Sequence, residues 1–287
     1  MKDKTMKKFH NCILEVAKDK YPDVRKRKYA LGYYLSRFIN VKSFHSTWYA
    51  LRHSSDDYHN HYKSIYNEFN KWAKDGIFEI AFNNFVKKHF FKLNKARYSK
   101  HLKLFIDVTK ITNLRGKEHI VINNEYMKKR ITPLSVICDE NKLPVAMIVI
   151  PINKTLPNGV KTAKHDVSCI QETLDNIKFQ IPEYVKISVT GDKGYVTSKN
   201  FTVQQRVVTI TAPKRRNQKV KTNNKEKKLL RERYKIENVF AIIKTSPRVF
   251  VRSEANLKNY TSFVYMALLE RYFRYIETNN PGMLDKL

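Results

Sequence analysis

The periodicity of the chain changes once, near residue 101, and that change limits what it can fold into. Before it, apolar residues recur at helical spacing. Residues 29–39 are apolar-periodic, and Tyr62, Ile65, Tyr66, Phe69 and Trp72 fall on one face of an amphipathic helix that stops at Gly76. A further helix is predicted over residues 77–91. After the change come short runs of strand type at 102–111, 131–138 and 145–152, the last apolar almost throughout, as in a strand covered on both faces. The polar stretch 139–143 before Pro144 predicts the turn joining the last two strands. Helix and strand then alternate: helix at 166–177, strand at 184–190, helix at 198–206, strand at 207–211, and long helices at 225–244 and 256–278. That order predicts an α/β protein with a mixed five-stranded sheet flanked by helices and preceded by an all-α region. The expected divisions are a helical segment over residues 1–100, a sheet domain over 101–255 and a C-terminal helix over 256–287 packing on that domain.

Charge points to the partner. Of 287 residues, 56 are Lys or Arg and 26 are Asp or Glu, a formal net charge of +30. Each cation placed on a phosphate releases condensed counterions, so a surplus of this size suits a polyanion. With 42% hydrophobic and 12% aromatic residues, the chain is rich enough in core formers to exclude a disordered polycation. Residues 1–100 carry +13, residues 101–200 only +5 and residues 201–287 +12. Two basic flanks thus enclose a nearly balanced middle; the plainer alternative is a Lys-rich solvated surface. No run of about 18 apolar residues occurs, so no membrane span is expected. The basic first ten residues lack an apolar continuation, unlike a secretory signal. Cys12, Cys138 and Cys169 are odd in number and widely spaced, which fits neither a disulfide framework nor a paired zinc site and predicts a reduced, intracellular protein.

Three acids stand out from this basic background. Glycine is scarce, seven in all, yet two fall in Gly191, Asp192, Lys193, Gly194, Tyr195, directly after a predicted strand. In open α/β sheets the site lies beyond the carboxyl ends of the strands, which is where Asp192 falls. Asp107 interrupts the apolar run of the first strand, where a carboxylate is costly unless paired or bound to metal. Glu237 lies in the predicted helix 225–244, with Arg233, Ala241 and Lys244 expected on its face and Ile236, Val239, Phe240 and Ile243 on the packing face. Three carboxylates of this kind suit one or two Mg²⁺ ions, which take oxygen ligands and support in-line phosphoryl displacement.

The same residues carry a resemblance. The chain resembles the DDE transposases of the short bacterial insertion-sequence type, whose catalytic domain has an RNase H-like fold. Asp107, Val108 and Thr109 resemble the family's first-Asp motif, and Gly191 to Tyr195 its Asp-Lys-Gly-Tyr motif. Arg233, Glu237 and Lys244 resemble its Arg-x3-Glu-x6-Lys signature, with Leu230 standing where the family has Tyr. Ala212, Pro213, Lys214, Arg215 and Arg216 resemble the family's basic segment after the fifth strand, and the stretch with Trp48, Leu51, Tyr66, Phe69, Trp72 and Gly76 its N-terminal helical domain. The resemblance implies that Asp107, Asp192 and Glu237 are catalytic and bind Mg²⁺, with Mn²⁺ able to substitute. It implies that Arg233, Lys244, Lys193, Lys214, Arg215 and Arg216 contact DNA. The implied substrates are double-stranded terminal inverted repeats and target DNA, handled by a homodimer or higher assembly at DNA, in the bacterial cytoplasm and nucleoid or in a nucleus. Cleavage at the element's ends would be followed by strand transfer.

Taken singly, these residues have plainer readings: Asp107 as a satisfied strand acid, Asp192 as a turn residue, Glu237 as a solvated helix position. Their agreement with one fold order weighs against all three at once. Asp166 is expected to cap the helix beginning at Val167, with His165 and Asp166 open to a supporting role near the metal. His59, Asn60 and His61 read as a surface helix start, Cys138 as core, and Arg25 to Lys28 as a DNA contact or an import signal. Two alternatives stay open beside the transposase: a metal-dependent nuclease without strand transfer, and a domesticated DNA-binding protein without catalysis.

Overall fold

The computed structural model describes residues 1–23, 29–44, 48, 51, 62–94, 100–123, 129–155, 161–163, 166–196, 199–213 and 224–287. The chain divides into two compact units. One comprises Met1–Phe85, Leu114–Glu118 and Ile243–Leu287, the other Val86–Asn113 and His119–Ile242.

The first unit is helical. Its helices are α1 (Asp3–Lys20), α2 (Leu31–Ser43), α3 (Tyr62–Lys74) and the first half of α4 (Ile77–Leu93). Buried Thr5, Phe9, Ile13 and Ala17 recur every fourth residue along α1, giving one apolar stripe. Gly76, at φ 73°, makes the left-handed turn that separates α3 from α4, a conformation glycine adopts without a Cβ clash. Phe38 forms edge contacts to Phe69 and Trp72, with ring centroids 5.2 and 5.3 Å apart. The helix expected over 256–278 is present as Leu257–Asn279, capped by the Asn256 side chain accepting from Lys258 N. It belongs to this unit rather than to the sheet unit on which residues 256–287 were expected to pack. The reason is its burial: residues 262–269 are buried without a break, so the helix needs neighbours on every side. α1 and α3 supply them, through contacts such as Phe9 on Phe273 and Phe69 on Phe263, with centroids 5.7 and 4.7 Å apart.

The second unit is built on a mixed sheet. Its strands are β1 (His101–Asn113), β2 (Val121–Asn123), β3 (Lys129–Asp139), β4 (Pro144–Val149), β5 (Ile152–Thr155), β6 (Lys161–Ala163), β7 (Lys186–Thr190), β8 (Phe201–Val203), β9 (Arg206–Val208) and β10 (Ile210–Thr211). The main sheet runs β4-β3-β1-β7-β10, with β2 beside β4 on the outer edge of β3. β3 is antiparallel to β1, whereas β7 and β10 run parallel to it and to each other. This is the mixed RNase H-like sheet expected from the sequence, its five expected strands present and further short strands added to them. Its centre is apolar on both faces, with Leu104, Phe105 and Ile106 of β1 fully buried.

Three expectations fail locally. The helix predicted over 198–206 is the hairpin β8–β9, turned by Gln204 and Gln205, both at positive φ. Such turns favour Asn-Gly; here long-range bonds hold the unusual residues, Gln204 accepting from Ile181 N at 2.9 Å and Arg206 donating to the carbonyls of Pro182 and Val185. The helix predicted from 166 begins at Ile170, as α5 (Ile170–Asp175), after a 3₁₀ turn over Asp166–Cys169, and its N-cap Cys169 offers no side-chain cap. The long helix predicted over 225–244 is two, α6 (Asn224–Arg231) and α7 (Tyr234–Ile243). α8 (Pro247–Phe250), β11 (Val251–Arg252) and α9, the Leu257–Asn279 helix, complete the chain order.

Candidate active site

Asp107 and Asp192 belong to the two central parallel strands. The β1–β7 pairing ends with Phe105 opposite Thr190. Asp107 stands two residues further along β1, and Asp192 two residues past the last residue of β7. β7 has ended by Asp192 whereas β1 runs on to Asn113, and the chain beyond β7 is therefore free to turn away and leave a carboxylate at the strand end. Asp107 is 18% exposed, next to three fully buried residues, and its Oδ1 accepts from Val108 N at 2.8 Å.

The two glycines around Asp192 work by leaving room. Neither has positive φ. A Cβ on Gly191 would meet the ring of Tyr195 at 2.8 Å, and one on Gly194 would meet Asp192 Oδ1 at 2.9 Å. Tyr195 is fully buried, so it cannot swing aside at low cost. Gly194 N donates to Asp192 Oδ1 at 2.6 Å, which caps the short 3₁₀ turn Lys193–Tyr195 and fixes the carboxylate. The Asp-Lys-Gly-Tyr sequence is thus a compact device for holding an acid at a strand end, with Lys193 exposed beside it.

Glu237 reaches the site through an arginine. At the junction between α6 and α7, tightened by bonds such as Arg233 N to Leu230 O, Arg233 lies outside regular helix. Its guanidinium approaches Asp107 Oδ2 at 3.5 Å and Glu237 Oε1 at 2.8 Å. No glycine or proline marks this break; tertiary contacts to β1 accompany it. Lys103 of β1 pairs with Glu232 at 3.7 Å and with Glu140 at 3.3 Å, and Lys235 lies over the Phe105 ring at 5.6 Å. The break corrects the expected helix face, because Arg233 precedes α7 and Lys244 follows it. Glu237 falls in the first turn of α7, where the helix dipole favours a carboxylate. Lys244 belongs to the helical unit, and burial lowers its amino pKa.

Lys214, Arg215, Arg216 and His165, with His59, Asn60 and His61, lie outside the described residues. Sequence reasoning missed the Lys103, Glu140, Glu232 and Lys235 group, since none of these residues sits in a motif and only the fold assembles them. It also missed Asp139, fully buried at the end of β3, whose Oδ1 accepts from the backbone N–H groups of Asn141 and Leu143, with Asn94 donating to Oδ2. Burial pushes this carboxyl up to about 7. The turn predicted over 139–143 was its only signal.

The donor chemistry of Asp107, Asp192 and Glu237 fits a hard divalent cation, which takes carboxylate oxygens. Among the described residues no group of three His, Cys, Asp or Glu side chains is arranged to hold a metal, and Arg233 supplies the positive charge between Asp107 and Glu237. Also among the described residues, no helix is long and apolar enough to cross a membrane.

Residues 128–269 match the family model of the transposase DDE domain. That span contains Asp192, Arg233, Glu237 and Lys244, and begins after Asp107. Comparison with curated proteins gave no match, and neither did comparison with solved structures. The mixed sheet agrees with the matched span, and residues 128–269 are similar to the transposase DDE domain.

Proposed function

We propose that the protein is a DNA transposase that cuts at the ends of a DNA element and joins them to target DNA, with Asp107, Asp192 and Glu237 as its catalytic carboxylates. The observation that carries this reading is the placement of three acids: Asp107 on β1, Asp192 just past the end of the adjacent parallel strand β7, and Glu237 sharing an arginine with Asp107. The three acids would hold Mg²⁺ or Mn²⁺, which supplies charge neutralisation for phosphoryl transfer when bound. In the first step water attacks phosphorus, the bond to the 3′-oxygen breaks and a 3′-hydroxyl is released. In the second, that hydroxyl loses its proton, its oxygen bonds to a target phosphorus and a target 3′-oxygen leaves. Asp192 enters these steps already oriented by Gly194, with its Oδ1 committed to that N–H.

Lys193, Arg233, Lys244 and the segment Lys214, Arg215 and Arg216 would bind the DNA backbone, and His165 with Asp166 would support the acids. The helical segment over residues 1–100 would bind DNA and mediate assembly of a homodimer or higher synaptic complex. The site of action would be intracellular, at DNA.

The test incubates the full-length protein with labelled DNA carrying the flanking inverted repeats and Mg²⁺ or Mn²⁺, beside Asp192→Asn. Joined products from the unmutated protein, absent with the variant while binding persists, are expected. Hydrolysis without joining would point to the nuclease, and binding without cleavage would sink both enzymatic readings.

A further inference from the structure

A cavity of about 710 Å³ opens within the helical unit, and the transposase reading above assigns it no particular ligand. Its size lies in the usual range of ligand pockets, roughly 300–1,000 Å³. Trp48, Tyr62 and Tyr66 contribute aromatic wall. Trp48 is fixed in place: its ring packs on Phe69 and Tyr66 with centroids 4.8 and 5.2 Å apart, and its indole N–H donates to Glu254 Oε1 at 3.1 Å. Glu254, 4% exposed, is held in turn by Arg248 at 3.0 Å and by Asn259. The floor is therefore a satisfied buried network whose shape is set before a ligand arrives, which lowers the ordering cost of binding.

The charges around this cavity do not balance. Lys63, Arg115 and Arg248 line it with one carboxylate, Glu254. Arg248 is committed to that carboxylate, which leaves two exposed cations, Lys63 and Arg115, beside aromatic wall. Aromatic faces take a flat π-system by stacking, and surplus cations take an anion; a nucleotide carries both. A base paired inside a duplex presents no face, so the fitting ligand is an unpaired one. Leu114, 61% exposed, also lines the cavity beside Arg115, an apolar side chain of the kind that wedges between base steps.

We propose that this cavity binds one unpaired nucleotide of the DNA substrate, its base against Trp48 and Tyr66 and its phosphate at Arg115 and Lys63. This rests on the reading of the protein as a DNA-processing enzyme. The test measures equilibrium binding of the full-length protein to two labelled DNAs of one sequence, a fully paired duplex and the same duplex with a short single-stranded end. Tyr66→Ala is expected to weaken binding to the single-stranded end about 5- to 100-fold. Arg115→Ala, a change at an exposed residue that leaves the fold intact, is expected to lower the magnitude of the salt slope by about 0.7 on that DNA. Both variants are expected to lose more affinity for the single-stranded end than for the paired duplex. Equal losses on both DNAs, or no loss on either, would overturn the pocket and leave the transposase reading standing. If the unmutated protein bound neither DNA, both would fall.

Discussion

Arg248 and Arg233 both hold carboxylates, in opposite circumstances. Arg248 meets Glu254 at 3.0 Å with side chains only 9% and 5% exposed, whereas Arg233 is 28% exposed and its partners Asp107 and Glu237 are 18% and 54% exposed. Burial pushes the Glu254 carboxyl up despite the arginine beside it, a sign that desolvation outweighs the attraction. The first pair is a fixture of the fold: neither charge can leave without stranding the other in a poor dielectric. The second lies where water screens and replaces it, so its partners can be exchanged at small cost. The site proposed above, which would admit a metal and a phosphate, needs the second arrangement and would be locked by the first.

The sharpest way to break this contrast is to truncate each arginine and follow urea unfolding. Arg248→Ala is expected to cost about 3–5 kcal/mol, because it leaves Glu254 buried without its cation. A smaller effect should appear on titrating Asp139. Its folded pKa of about 7 lies above the ordinary carboxyl value, so its contribution is fully present at low pH and is lost as pH rises toward 8. Stability should fall by roughly 3 kcal/mol between pH 5 and pH 8, and Asp139→Asn should flatten that slope. Arg233→Ala should change stability least, by under about 1 kcal/mol. If it cost as much as Arg248→Ala, the site would be as rigidly paired as the core and the contrast would collapse.

The sequence was most legible where a short pattern carries its own physics. The apolar run 145–152 declares a strand covered on both faces, and the sparse glycines at 191 and 194 mark a close approach, which is to Tyr195 and Asp192. The Leu257–Asn279 helix was legible as an element but not in its placement, because unbroken burial at 262–269 says that the helix is enclosed without saying by what. The β8–β9 turn was invisible, since its residues are Gln and its anchors lie more than twenty positions away. The break between α6 and α7 was invisible for the same reason: neither glycine nor proline announces it. Arg233 was legible as a basic residue near Glu237, but its bond to Asp107 depends on how the α6–α7 junction meets β1, which no local pattern encodes.

Asp107 and Asp192 lie 85 positions apart in the chain, and the parallel pairing of β1 with β7 is what carries them to the same end of the sheet. Parallel pairing across such a separation closes a long loop before it gains contacts, which makes it a slow step in folding. The first two acids are therefore brought together only once the middle of the sheet is complete. A chain still emerging from the ribosome, with β1 made and β7 not yet made, carries its basic first hundred residues but not yet the proposed centre, so on the reading proposed above it could attract DNA before it could act on it.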